Sequence, residues 1–428
     1  MATASTGDRA RKRPVWVLII ALLAVFSLIA AACGDDDDDT SAGGDDGAAS
    51  DDGSSSDDGA ASDDGSSSDD GAASDDGAAS DDGMVEYEEI ELQMASFLSP
   101  TTSQGVAITR WIEELESRTD GAVTVEVFWD GALLGGTEIR DACVDGRIAL
   151  CHYTYAYTPA DFPLSSIVEV PFLGGNLGAQ AVALNELYAN NADFRAEFEE
   201  GAGTKVLSFI GVPAPITGTT EPVTSIDWFD GKNVRASGFY VRALEFVGAN
   251  PVAIPVNEAY EAMQRGTVDA YGGLILDVIA PLSLQEVGPY IHDAGLGHFA
   301  MTTWGMSLDQ WNSLSPELQA LLDEINAMYP QWLVEADTAS TVTACNTILD
   351  DGGEVIIWDE AETQRWADAI GDAPLEDWLA KAADAGVADP QAMYDEFVGY
   401  YEAANTTGEF ADVPTPMEAC FEIQEARG

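Results

Sequence analysis

Basic residues are scarce in this chain: 17 Lys+Arg stand against 76 Asp+Glu over 428 residues, a formal net charge of −59. So anionic a surface repels phosphate backbones and anionic lipid headgroups, which excludes nucleic acid as a partner. Only three His and five Cys are present, and no two cysteines have the close C-x-x-C spacing of a zinc site. There is no HExxH, GxSxG, Walker or GxGxxG sequence, so no catalytic role, metal or cofactor is expected. Carboxylates are too numerous for any pair to stand out as acid and base. Beyond residue 33 no apolar run is long enough to span a bilayer.

The chain divides into three stretches of contrasting composition. Arg9, Arg11, Lys12 and Arg13 precede an apolar run from Val15 to Ala32, and Cys33 follows Ala30, Ala31 and Ala32. This is the order of an export signal. It resembles a bacterial lipoprotein leader with Cys33 as the lipidated residue, although Ala30 stands where Leu is usual. The expected location is the extracytoplasmic face of the cell membrane, held by a lipid anchor. Residues 34–83 contain only Asp, Gly, Ser, Ala and one Thr, with DDGAAS and DDGSSS recurring every six residues. Nothing there can be buried to offset chain entropy, so a disordered tether is expected, its ends roughly 40 Å apart as a random coil. It lacks the alternating ligands and closing Glu of a calcium loop.

Residues 84–428 form the folding module, which keeps 13 of the 17 basic residues. Its four cysteines, Cys143, Cys151, Cys345 and Cys420, are an even number in an oxidising compartment. Four cysteines allow three pairings; Cys143 with Cys151 and Cys345 with Cys420 is the expected one. Period-2 and period-3.6 patterns alternate from Ile90 onward. Ile90–Ala95, Val123–Phe128 and Ile148–Tyr153 read as strands, with helices over 105–118 and 136–145 between them. Further strands are expected over 205–211, 233–235, 251–254 and 268–270, with a short helix over 258–265. From Leu314 the pattern turns helical: the SPEL sequence at Ser315 signals a helix running to about Asp350, and 359–404 is mainly helical. The expected class is α/β, with two lobes flanking a cleft and sharing a helical brace.

Two stretches carry a family resemblance. WIEELESRTDGAVTVEVFWD at Trp111–Asp130, continuing as GALLGGTEIRDACVDGRI, and FDGKNVRASGFYVRALEFVGANPVAIPVNEAYEAMQRGTVDA, which begins at Phe229, resemble the solute-binding subunits of TRAP (tripartite ATP-independent) transporters. The similarity runs from about Ile90 to Trp332. It implies a bilobal periplasmic-binding-protein-like fold with two mixed sheets and long bracing C-terminal helices. It also implies capture of a small organic acid and delivery to membrane subunits driven by an ion gradient.

Arg235, ending the strand in GKNVR, matches the family's carboxylate-binding Arg, and a planar guanidinium suits that task. Many members carry a second Arg where this chain reads GVPAPIT, and an Asn where Tyr271, Gly272 and Gly273 stand. A monocarboxylate is therefore expected over a dicarboxylate. Tyr153, Tyr155 and Tyr157 would line one face if their strand continued. Phe97, Phe239, Tyr271 and Trp304 are further aromatic candidates. Glu258 matches the Glu that opens the family's short helix and either contacts ligand or caps the helix. His152 reads as a structural histidine. The alternatives are a binding protein for an ABC importer or a sensor, or a binder of neutral solutes.

Overall fold

A computed structural model describes residues 86–411 and 413–428. The leader, Cys33 and the Asp-rich stretch over 34–83 lie outside the described residues. Eleven strands are described, β1 Ile90–Ser96, β2 Val123–Phe128, β3 Leu150–Tyr153, β4 Thr204–Gly211, β5 Ile216–Thr219, β6 Asn233–Ala236, β7 Asn250–Ala253, β8 Ala270–Leu274, β9 Tyr290–Asp293, β10 Met301–Ser307 and β11 Glu354–Ile357. They form two mixed sheets. The first has the order β2-β1-β3-β10-β4, the second β11-β9-β5-β8-β6-β7. Each sheet anchors one lobe, and the second lobe is largely an insertion between β4 and β10 of the first.

The expected opening strand, helix, strand run is present. Helix α1 spans Ser103–Arg118, and Thr102 caps it by accepting a hydrogen bond from the Gly105 N–H. Gly105 is required at this turn, because a Cβ would lie 2.3 Å from the Ser99 carbonyl oxygen. Ala107, Ile108, Trp111, Ile112 and Leu115 are its buried apolar face, a stripe at helical spacing. Trp111 meets Trp304 edge-on at 4.4 Å and donates from Nε1 to Asn326 at 2.8 Å. Each large side chain buried in this way contributes about 1.5–3 kcal/mol. Helix α2 (Ile139–Val144) follows β2, and α3 (Leu177–Asn190) packs behind β4.

In the second lobe, α4 (Phe239–Glu245) follows β6 and α5 (Ala259–Gln264) follows β7. Helix α6 (Pro316–Asp350) is 35 residues long, about 50 Å at the α-helical rise. Ser315 caps it and Pro330 lies inside it. Its first half packs on α1 in the core of the first lobe, and Ala344, Cys345 and Ile348 join the core of the second. The terminal helices α7 (Glu360–Ile370), α8 (Ala373–Asp384), α9 (Pro390–Thr406) and α10 (Pro416–Arg427) brace both lobes. Trp366 of α7 sits in the second core, Trp378 of α8 and Phe397 of α9 in the first, and Cys420 of α10 in the second. Cys345 is bonded to Cys420 and Cys143 to Cys151. Among the described residues no helix is long and apolar enough to cross a membrane.

Two extended connections, 212–215 and 294–300, carry the chain between the lobes, and side chains tie them together. Gln180 of α3 accepts from the Val212 N–H at 2.7 Å and donates to the Ala300 carbonyl at 3.1 Å. The His298 ring nitrogen Nδ1 lies 2.9 Å from the Val212 carbonyl. The GVPAPIT sequence therefore builds one of the crossings between the lobes, where two prolines fix φ.

Candidate functional site

Where the carboxyl ends of the two sets of parallel strands face each other, a cavity of about 90 Å³ opens. This is where open α/β sheets hold their ligands. The first lobe contributes Phe97 and Leu98 after β1, Gln104 of α1, Tyr157 after β3, and Thr302 of β10. The second contributes Arg235 and Ser237 at the end of β6, with Leu274, Ile275 and Val278 after or ending β8. A second chamber of about 420 Å³ shares Ala156, Tyr157 and Ser237 with the first and reaches Glu169 and Arg242.

Arg235 is the cation of the site. It is only 1 % exposed, and no carboxylate lies within 4 Å of it among the described residues. Its Nε donates to the Ile254 carbonyl at 2.9 Å, and Nη1 to the Gly272 and Gly273 carbonyls at 3.2 and 3.4 Å. Nη2 has no protein acceptor among the described residues. Burial lowers its pKa to about 10, so the side chain is charged at neutral pH and under-compensated. The two residues whose carbonyls receive the guanidinium are glycines held against Tyr240. At Gly272 a Cβ would come within 2.5 Å of the Tyr240 ring, and Gly273 has φ +64°.

Around Arg235 the lining is mainly apolar. Phe97 packs edge-on to Tyr157 at 5.7 Å and tilted against His152 at 4.9 Å. Of the sequence candidates, Arg235, Tyr157 and Phe97 line the cavity. Tyr153 and Tyr155 do not. The strand stops at Tyr153, because the Thr154 hydroxyl accepts from the Ala156 N–H and starts a 3-10 turn over Tyr155–Tyr157. The alternation is broken there: Tyr153 bonds the Thr204 hydroxyl at 2.8 Å, and Tyr155 donates to Glu169 at 3.3 Å, both within the first core. Phe239 and Tyr271 are buried in the second core, and the Tyr271 hydroxyl donates to the Gly288 carbonyl at 2.7 Å. Trp304 is committed to its contact with Trp111. Glu258 is exposed and makes no capping hydrogen bond to the short helix.

Sequence reading missed Gln104, Ser237 and Thr302, none of which sits in a recognisable motif. Gln104 is 2 % exposed, and a buried amide at the first turn of a helix is the signal that points to it. At the rim, Arg242 of α4 pairs with Asp377 of α8 at 2.6 Å, and Lys381 joins the same carboxylate at 3.0 Å. Because α8 packs on the first lobe, this ion pair crosses the cleft. Glu169 lies beside it, and burial raises its pKa to about 7. Among the described residues no group of three or more His, Cys, Asp or Glu side chains could hold a metal ion.

Residues 94–376 match the model of the bacterial extracellular solute-binding protein family 7. The chain is 26% identical over 282 residues to the 2,3-diketo-L-gulonate-binding periplasmic protein of Escherichia coli K12, covering 64% of this chain and 82% of that one. It is similar to the crystal structure of a TRAP periplasmic solute binding protein from Desulfovibrio salexigens, with 28% identity and a TM-score of 0.61 over 76% of this chain and 99% of that one. A Bordetella bronchiseptica TRAP periplasmic solute binding protein with bound (R)- and (S)-mandelate shares the fold, at 22% identity and a TM-score of 0.66 over 73% of this chain and 99% of that one. With two mixed sheets, a cleft between the lobes and a family match over two-thirds of its length, the chain belongs to the extracytoplasmic solute-binding proteins of family 7, the small-ligand receptors of TRAP transporters.

Proposed function

We propose that this protein captures a small monocarboxylate between its lobes and delivers it to TRAP membrane subunits driven by an ion gradient. Lipidated Cys33 and the Asp-rich tether hold it at the outer face of the cell membrane. The observation that carries the ligand class is Arg235: a buried cation that, among the described residues, has no carboxylate partner and leaves one nitrogen without an acceptor, in a small apolar cavity. Burying an unpaired charge is costly, and an anion that enters with it recovers that cost through charge-assisted hydrogen bonds. Among the described residues no second Arg or Lys lines the inner cavity, so a second carboxylate would find no partner from them there. The ligands of two relatives, 2,3-diketo-L-gulonate and mandelate, are themselves monocarboxylates.

The test is a thermal-shift screen of the purified chain in high salt against monocarboxylates, dicarboxylates, their neutral amides, sugars and amino acids. A ligand at a hundredfold excess over its Kd stabilises the fold by about 2.7 kcal/mol. Shifts confined to monocarboxylates, with the matching amides silent, are expected. Shifts from neutral solutes alone refute the reading.

A further inference from the structure

Gln104 opens α1 with its side chain in the cavity and its oxygen end fully occupied. Oε1 accepts from the Thr302 hydroxyl at 2.8 Å and lies 3.0 Å from His152 Nε2. On the far side of the ring, His152 Nδ1 lies 2.9 Å from the Ser96 hydroxyl. Ser96, Gln104, His152 and Thr302 are all buried. Burial lowers the pKa of His152 to about 3, so the ring is neutral and carries one proton. With Nε2–H donating to Gln104, Nδ1 is the acceptor for Ser96, whose alternative acceptor, the Leu98 carbonyl, is farther away at 3.3 Å. Oε1 points at this relay, which leaves the other end of the amide for the cavity. This is the NH₂ end, and Gln104 Nε2 has no protein acceptor among the described residues.

Among the described residues, Arg235 Nη2 from one lobe and Gln104 Nε2 from the other are thus side-chain nitrogen donors without a protein acceptor at this cavity. A carboxylate on Arg235 satisfies the first. The second faces the rest of the ligand, and a buried donor without an acceptor is penalised. We propose that Gln104 is a specificity-determining residue, positioned by His152 and Thr302, which selects acids carrying a second, neutral acceptor such as a keto oxygen. The inference rests on the carboxylate reading of Arg235. A site built to meet an acceptor discriminates against the isostere lacking it more sharply than an apolar pocket discriminates by size.

The experiment uses two matched pairs of acids, in which a keto oxygen is replaced by a methylene of the same shape. Phenylglyoxylate with 2-phenylacrylate places the acceptor next to the carboxylate; 4-oxopentanoate with 4-methylpent-4-enoate places it farther along. Affinities are measured by calorimetry on the purified full chain, on Gln104→Met and on Thr302→Val, with folding of each checked by circular dichroism. In the wild type, at least one keto acid binds about tenfold or more tightly than its partner. In Gln104→Met that ratio falls to within about twofold, while the affinity for the methylene acid changes little. Thr302→Val, which keeps the amide but loosens it, gives an intermediate ratio. Equal affinity within both pairs, or an equal loss for both members in Gln104→Met, overturns the proposal and leaves the carboxylate reading intact. If none of the four acids binds, the proposal falls, and the carboxylate reading is decided by the wider screen of acids and amides.

Discussion

Replacing Arg235 by Met should leave the unliganded protein nearly as stable as before while removing its ability to bind acids. Burial holds the folded-state pKa of Arg235 at about 10, below the unfolded one. At pH 7, well under both, the charged side chain therefore costs the empty protein on the order of 3 kcal/mol. Met relieves that cost and fills similar volume. It also forfeits hydrogen bonds to the carbonyls of Ile254, Gly272 and Gly273, at about 1 kcal/mol apiece. The two effects oppose and nearly cancel, so the net change in unfolding free energy should stay under about 1.5 kcal/mol. Binding has no such compensation. Truncating one partner of a buried charged pair costs about 2–5 kcal/mol, a thirtyfold to several-thousandfold loss of affinity. Urea unfolding of the empty variant, paired with calorimetry against any acid that binds the wild type, tests both halves. A loss of about 4 kcal/mol or more in the empty variant, with acid binding retained, would mean that Arg235 is a structural residue and the ligand assignment is wrong.

Two further perturbations separate the frame from the site. The Cys345–Cys420 bond closes 75 residues and the Cys143–Cys151 bond 8, so by loop entropy the first is worth about 4 kcal/mol and the second about 2.5. Denaturant unfolding of the paired Cys→Ser variants should rank them in that order, and the reverse ranking would show that strain or residual structure outweighs loop length. Glu169, accepting only from Tyr155 and facing Arg242, Lys381 and Asp377, has a folded pKa of about 7 against 4.5 unfolded. Its contribution to stability is fully present below about pH 4.5 and is lost as the pH rises through about 7. The stability difference between wild type and Glu169→Gln should therefore shift by on the order of 3 kcal/mol across that window, against the wild type at higher pH. A difference independent of pH shows that Glu169 does not titrate there.

Elements with strong local signals are legible in the sequence itself. The α1 stripe, the Ser315 cap with its long helix, and β2 stand where periodicity and capping place them, since each is decided by residues close in sequence. What escapes is decided by distant partners. Strand β10 is wholly buried between β3 and β4, and its MTTWGMS sequence has no period that separates it from a loop. Yet it delivers Thr302 to the cavity and Trp304 to the core. The tyrosine alternation fails at a single hydroxyl, Thr154, which accepts from the backbone two residues on and ends a strand that side-chain pattern alone would continue.

Within the site, the legible part is the charge, and the hidden part is what orients the neutral donors. Arg235 stands out because a motif surrounds it and because cations are scarce in so acidic a chain. Gln104 depends on Thr302, from 198 residues away, and on His152, from 48, so no window of sequence contains the information. The division follows from the physics. Net charge acts at long range and survives coarse reading, whereas the direction of an amide is set by hydrogen bonds at about 3 Å between segments that only the fold brings together. In this family architecture the cation would recruit acids in general, and the oriented amide would choose among them. Substitutions near residue 104 and in β10, rather than at Arg235, are therefore where ligand choice should change without loss of acid binding.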